Sequence, residues 1–129
     1  MKRVLLQIVL MLAMFMPAVV YGQSAKIKFD DTMHDFEAVP ETGGVVKHDF
    51  VFTNEGDVAL VIIEVNTNCG CTVADFPQAP VAPGKQGVIS ITFDPKGNPG
   101  EFAKEIVVKS NAKKKKTRLR IKGMVVPQQ

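Results

Sequence analysis

The stretch VISITFD, residues 88–94, decides the fold. Its apolar and polar residues alternate one by one, with Ile89, Ile91 and Phe93 on one face and Ser90, Thr92 and Asp94 on the other. A period of two, carried by β-branched and aromatic residues, marks a β-strand with one face buried and the other in water. The same rhythm recurs to either side. VVKHDFVFTN (45–54) sets Val46, His48, Phe50 and Phe52 on one face, and TRLRIKG (117–123) sets Leu119 and Ile121 inward with Arg118, Arg120 and Lys122 outward. ALVIIEV (59–65) is apolar on both faces, which suits a more central, doubly covered strand. TMHDFEAV (32–39) and FAKEIVVKS (102–110) complete six strands, and no segment carries a helical period.

Turn signals separate these runs. Gly43-Gly44 opens the second strand, NEGD (54–57) is a hairpin loop, and Pro83-Gly84 fits a type II turn. DPKGNPG (94–100) and SNAKKKK (110–116) part the last three strands. ADFPQAPVAPG (74–84) holds three prolines and should cross the sheet edge as a loop or short irregular strand. The pattern predicts an all-β fold: an immunoglobulin-like antiparallel β-sandwich of about seven strands, with a small barrel as the alternative.

Ahead of the strands, Met1-Lys2-Arg3 is followed by an uncharged run from Val4 to Val20, and small Gly22 stands before Gln23. Basic start, apolar stretch and small-residue site form the layout of a cleaved signal peptide. The run is 17 residues long and contains Gln7, short of the roughly 20 apolar residues of a membrane-spanning helix. The expected organisation is a signal peptide over 1–22 and one domain over 23–129, periplasmic or secreted, without stable membrane insertion after cleavage. Charge is then distributed unevenly. Residues 23–103 hold 5 basic and 12 acidic side chains, a net of −7, whereas 104–129 hold 9 basic and 1 acidic, a net of +8.

With the strands and turns in view, the chain resembles a known family. HDF (34–36), H-x-F-x-FTN-x-G (48–56), NCGCT (68–72), APG (82–84) and FDPKGNPG-x-F (93–102) look like the bacterial family catalogued as domain of unknown function 1573, over about Phe29 to Val125. The family's usual glycine after HDF is Glu37 here, which argues against a tight turn, and its usual serine before CGC is Asn68. The resemblance implies an exported immunoglobulin-like domain similar to the sperm-protein, cilia-associated and pilus-chaperone branch. It implies no established activity, so function has to come from the residues.

Cys69 and Cys71, the two cysteines of the chain, flank Gly70. A disulfide between residues i and i+2 needs an unusual bend, which glycine permits. Two structural thiols, a redox pair, and a metal site completed by His34 and His48 are the other readings. Soft thiolates would favour copper(I) or zinc, although the spacing 34, 48, 69, 71 matches no known finger. Inward-facing His34 and His48 are more simply core histidines with bonded nitrogens. No cofactor is expected.

The basic run Lys113, Lys114, Lys115 and Lys116, continued by Arg118, Arg120 and Lys122, makes one stripe. Nucleic-acid binding is not expected, because no stacking aromatic accompanies the stripe beyond Phe102 and the chain is read as exported. Protection of a terminal strand against edge-to-edge pairing explains it, and docking of an anionic partner is the alternative. No phosphate loop, HExxH or G-x-S-x-G elbow occurs. The expectation is a non-enzymatic binding or scaffolding module with an unknown protein or cell-envelope partner. Its rival is a small metal-binding or thiol-redox protein.

Overall fold

The computed structural model describes Val4 and residues 23–127; the expected signal peptide, Val4 apart, lies outside the described residues. The described residues form eight strands: β1 (Ile27–Phe29), β2 (Met33–Pro40), β3 (Val46–Asn54), β4 (Ile62–Asn66), β5 (Thr72–Asp75), β6 (Gln86–Phe93), β7 (Gly100–Ser110) and β8 (Lys116–Val126). They form two sheets of four, ordered β1-β3-β6-β5 and β2-β8-β7-β4. Two separate sheets make this a sandwich and exclude the barrel. The fold is immunoglobulin-like, with one departure: β2 runs parallel to β8, whereas the other strand pairs are antiparallel.

Alternation in the sequence becomes inside and outside in the structure. Phe50, Phe52, Ile89, Ile91 and Phe93 from the first sheet meet Ile106, Val108, Leu119, Ile121 and Val125 from the second, and all are buried. The rings of Phe93 and Phe102 stack across this interior with centroids 4.2 Å apart. Burying one such side chain contributes about 1.5–3 kcal/mol, so packing holds the domain.

Among the described residues three polar side chains, Asn54, Thr72 and Ser110, are buried. Asn54 is fully buried at the end of β3. Its amide donates to the carbonyls of Val58 (2.8 Å) and Val81 (3.0 Å), and its Oδ1 accepts from the backbone N–H of Gly56 (2.9 Å) and Lys26 (3.3 Å). Three stretches of chain, at Lys26, at Gly56 to Val58 and at Val81, are thereby tied to one side chain. A buried amide is tolerated because it is fully bonded.

The structure corrects three local expectations. ALVIIEV is not a central strand: Leu60 makes only an isolated bridge to Val81, and β4 lies at a sheet edge with Ile63 62% exposed. The short strands β1 and β5 were not foreseen, being three and four residues long and too brief for a period to show. Glu37 does not abolish the tight turn. It adopts φ 60° at a bulge in β2, and its N–H donates to Asp35 Oδ1 at 2.8 Å.

Candidate functional site

Residues 67–71 carry the chain from the edge strand β4 of one sheet to the edge strand β5 of the other. Cys69 and Cys71 form a disulfide there, with Cα atoms 5.3 Å apart. Asn68 supplies the turn with φ 55°, a conformation asparagine tolerates better than most residues, and its N–H donates to Asn66 Oδ1 at 3.0 Å. Thr67 Oγ1 donates to the carbonyl of Thr72 at 3.0 Å and reaches that of Cys69 at 3.4 Å, while Asp94 N–H donates to the Cys71 carbonyl at 2.9 Å. The backbone N–H of Cys71 points at Cys69 Sγ (3.3 Å), and Thr72 Oγ1 lies 3.7 Å from Cys71 Sγ. Both cysteines are half-buried.

His34 and His48 meet elsewhere. β1 pairs with β3 only over Phe52 to Asn54, so further along β3 the second sheet's β2 leans across the gap. The two imidazoles stack with centroids 3.7 Å apart and planes within 9°, each with a phenylalanine edge-on, Phe36 beside His34 and Phe50 beside His48. The His48 pKa is lowered from 6.5, first by burial and then by the neighbouring His34; Asp31 and Asp49 act in the opposite direction.

The structure thus assembles the four candidate ligands as two separate pairs. Val46 and Thr72 both register with Phe93, from opposite sides of β6. The histidine strand and the cysteine strand are therefore two strand spacings apart, about 10 Å. Ring nitrogens donate in the ring plane, so stacked imidazoles do not converge on one ion, and the cysteine sulfurs are bonded to each other. Among the described residues no group of three or more His, Cys, Asp or Glu side chains is placed to hold a metal.

The basic stripe divides into two parts. On the outer face of the second sheet Arg118 Nε lies 3.3 Å from Glu105, Arg120 4.0 Å from Glu105, Lys122 4.0 Å from Asp35, and Lys109 3.2 Å from Glu64. That face is a mixed-charge lattice. Among the described residues Lys113, Lys114, Lys115 and Lys116 form no ion pair. Lys113 to Lys115 lie in the turn of the β7–β8 hairpin and Lys116 opens β8, and the turn is anchored where Lys113 N–H donates to the Ala25 carbonyl at 3.1 Å. An open concavity of about 420 Å³ lies beside them, lined by Thr32, Lys114, Lys116, Thr117 and Arg118. Thr32 is fixed there because its carbonyl accepts Arg120 N–H at 2.9 Å.

Edge protection explains only part of this run. From Arg120 onward β8 runs between β2 and β7, whereas Lys116 to Leu119 pair with β7 alone. The sequence reading missed the acidic partners of the stripe and both threonines of the concavity. Glu105 had a legible signal, since it stands outward on β7 opposite Arg120 in a hairpin whose register the turn fixes. Thr32 had none, because it arrives through a parallel pairing.

Among the described residues no helix is long and apolar enough to cross a membrane. A family model described as protein of unknown function (DUF1573) matches residues 27–125. No curated protein matches the chain. Among solved structures, a protein of unknown function from Porphyromonas gingivalis W83 is 20% identical with a TM-score of 0.72; the match covers 86% of this chain and 51% of that one. The ASH/PapD-like domain 7 of human CEP192 is 14% identical with a TM-score of 0.66, covering 89% of this chain and 95% of that one. The E. coli chaperone DraB is 16% identical with a TM-score of 0.54, covering 80% and 56% respectively. The chain thus spans about half of the Porphyromonas protein. At these identities the likeness is one of fold.

Proposed function

From the premise that this chain belongs to the DUF1573 family, which its match over residues 27–125 shows, we propose that it is an exported, non-enzymatic immunoglobulin-like binding module. Residues 1–22 are its cleaved leader and 23–129 its single working domain, acting in the periplasm or outside the cell. The module docks an acidic segment of a cell-envelope protein at the tip of the β7–β8 hairpin.

The observation that supports this is the contrast between paired and unpaired cations. Arg118, Arg120, Lys122 and Lys109 have carboxylates within 4.0 Å, while the four consecutive lysines of the hairpin have none among the described residues. Clustered like charges repel, and an opposite charge from outside relieves that cost. The two threonine hydroxyls of the concavity add hydrogen-bond donors for carboxylate oxygens.

Crosslinking the mature protein in an envelope extract of its host tests the reading. The wild type should capture a discrete acidic protein, with capture falling as salt rises because exposed charges are screened beyond about 8 Å at physiological ionic strength. Replacing Lys113–Lys116 with serine should abolish capture and leave the melting temperature unchanged. Capture that survives the four substitutions would remove the hairpin from the docking surface.

A further inference from the structure

We propose that the Cys69–Cys71 disulfide is an exchangeable redox site that takes two electrons from cysteine thiols of an exported protein. This goes beyond docking and rests on different residues. The first support is that the bridge has little structural work to do. It joins residues two apart, closing a loop too short to remove much entropy from the unfolded chain. The loop is held independently, by Thr67 on the Thr72 carbonyl, Asn66 on Asn68 N–H, and Asp94 N–H on the Cys71 carbonyl. Reduction would leave all three in place.

Gly70 is the second support. Among the described glycines, the others either have positive φ or would drive an added Cβ to within 3.1 Å of a neighbour. Gly70 has neither: its φ is not positive, and an added Cβ would meet nothing within 4 Å outside its neighbours Cys69 and Cys71. Neither a left-handed backbone nor packing against the rest of the domain therefore demands glycine here. What its missing side chain provides is an open approach to two half-buried sulfurs, the use glycine serves where another chain comes close.

The third support is the polarity of the pair. The N–H of Cys71, 3.3 Å from Cys69 Sγ, would stabilise a thiolate on Cys69, and the better-stabilised thiolate leaves faster. A partner thiolate therefore attacks Cys71 Sγ. The S–S bond breaks, its electron pair goes to Cys69 Sγ, and that sulfur takes a proton from solvent. A second partner thiolate then attacks the partner's own sulfur in the mixed disulfide, releasing Cys71 as a thiol beside the Thr72 hydroxyl. The partner dithiol is oxidised to a disulfide, and the module gains two electrons and two protons. A small disulfide such as oxidised glutathione restores it by the reverse steps.

The test uses the mature chain with dithiothreitol, oxidised glutathione and a short peptide bearing one cysteine. Under native conditions dithiothreitol should expose two thiols per chain without loss of the β-sheet circular dichroism signal, and oxidised glutathione should remove them. In the Cys69→Ser variant, Cys71, offered the peptide as the peptide's mixed disulfide with glutathione, should attack the peptide sulfur, release glutathione as a thiol and stay as a stable mixed disulfide with the peptide. Gly70→Val should slow exchange with the peptide severalfold more than exchange with dithiothreitol, at unchanged melting temperature. Thiols that appear only when the chain unfolds would overturn the proposal, as would a Gly70→Val variant that exchanges with the peptide at the wild-type rate.

Discussion

Replacing Asn54 with alanine should be among the most damaging single changes in this domain. The substitution removes four hydrogen bonds, to the carbonyls of Val58 and Val81 and from the N–H groups of Lys26 and Gly56. The Val81 carbonyl keeps the N–H of Leu60 at 2.8 Å, so three backbone groups rather than four lose this partner outright. At a net 0.5–1.5 kcal/mol per bond the loss is about 3 kcal/mol. For a domain of about 100 residues that is a fall in melting temperature of roughly 12–24 °C, and a large part of a typical 5–15 kcal/mol stability. Asn54→Asp should cost at least as much at neutral pH, because a carboxylate oxygen then faces two carbonyls that the amide had served as donor. Urea titration followed by circular dichroism measures both. A loss below about 1 kcal/mol in Asn54→Ala, with an unchanged m-value, would refute the view that this side chain ties the three stretches together.

Three further outcomes are expected. The pKa of His48 is lowered from 6.5 in the folded chain, so the unfolded chain binds more protons as the pH falls below that value; melting temperature should be level above about pH 6.5, fall below it, and lose this component when His34 and His48 are both replaced by phenylalanine. An identical pH profile in that double variant would show that the stacked imidazoles do not govern it. Gly87→Ala places a Cβ against Phe52 Cζ in the core, so calorimetry should record about 1–3 kcal/mol of destabilisation, and a neutral result would mean that Phe52 shifts freely. Mass spectrometry of protein from the native host should find an N-terminus near Gln23; an intact chain beginning at Met1 would contradict cleavage of the leader.

Strand identity was legible wherever one face is buried. VISITFD, HDFVF and TRLRI place Ile89, Ile91, Phe93, Phe50, Phe52, Leu119 and Ile121 in the core because a strand's side-chain period is two, whatever its neighbours. ALVIIEV misled because Ile63 is apolar yet exposed at an edge, and composition does not show which strands lie beside it. The parallel β2–β8 pairing joins residues far apart in sequence and left no local trace, so Thr32 beside the lysine hairpin could not be foreseen. Asn54 read as a turn residue because its burial depends on Val81 and Lys26, which other segments supply. The cysteine pair was legible as a candidate. Its separation from the histidines required the order of three strands, β3, β6 and β5.

Docking at the lysine hairpin is best tested by backbone amide NMR of the mature domain titrated with a short polyglutamate peptide. Saturable shifts confined to Thr32, the hairpin lysines Lys113–Lys116, and Thr117 to Arg118, weakening with added salt and absent in the four-serine variant, are the predicted result. Shifts centred on the edge strands β4 and β5, or none at any residue of the hairpin, would contradict it.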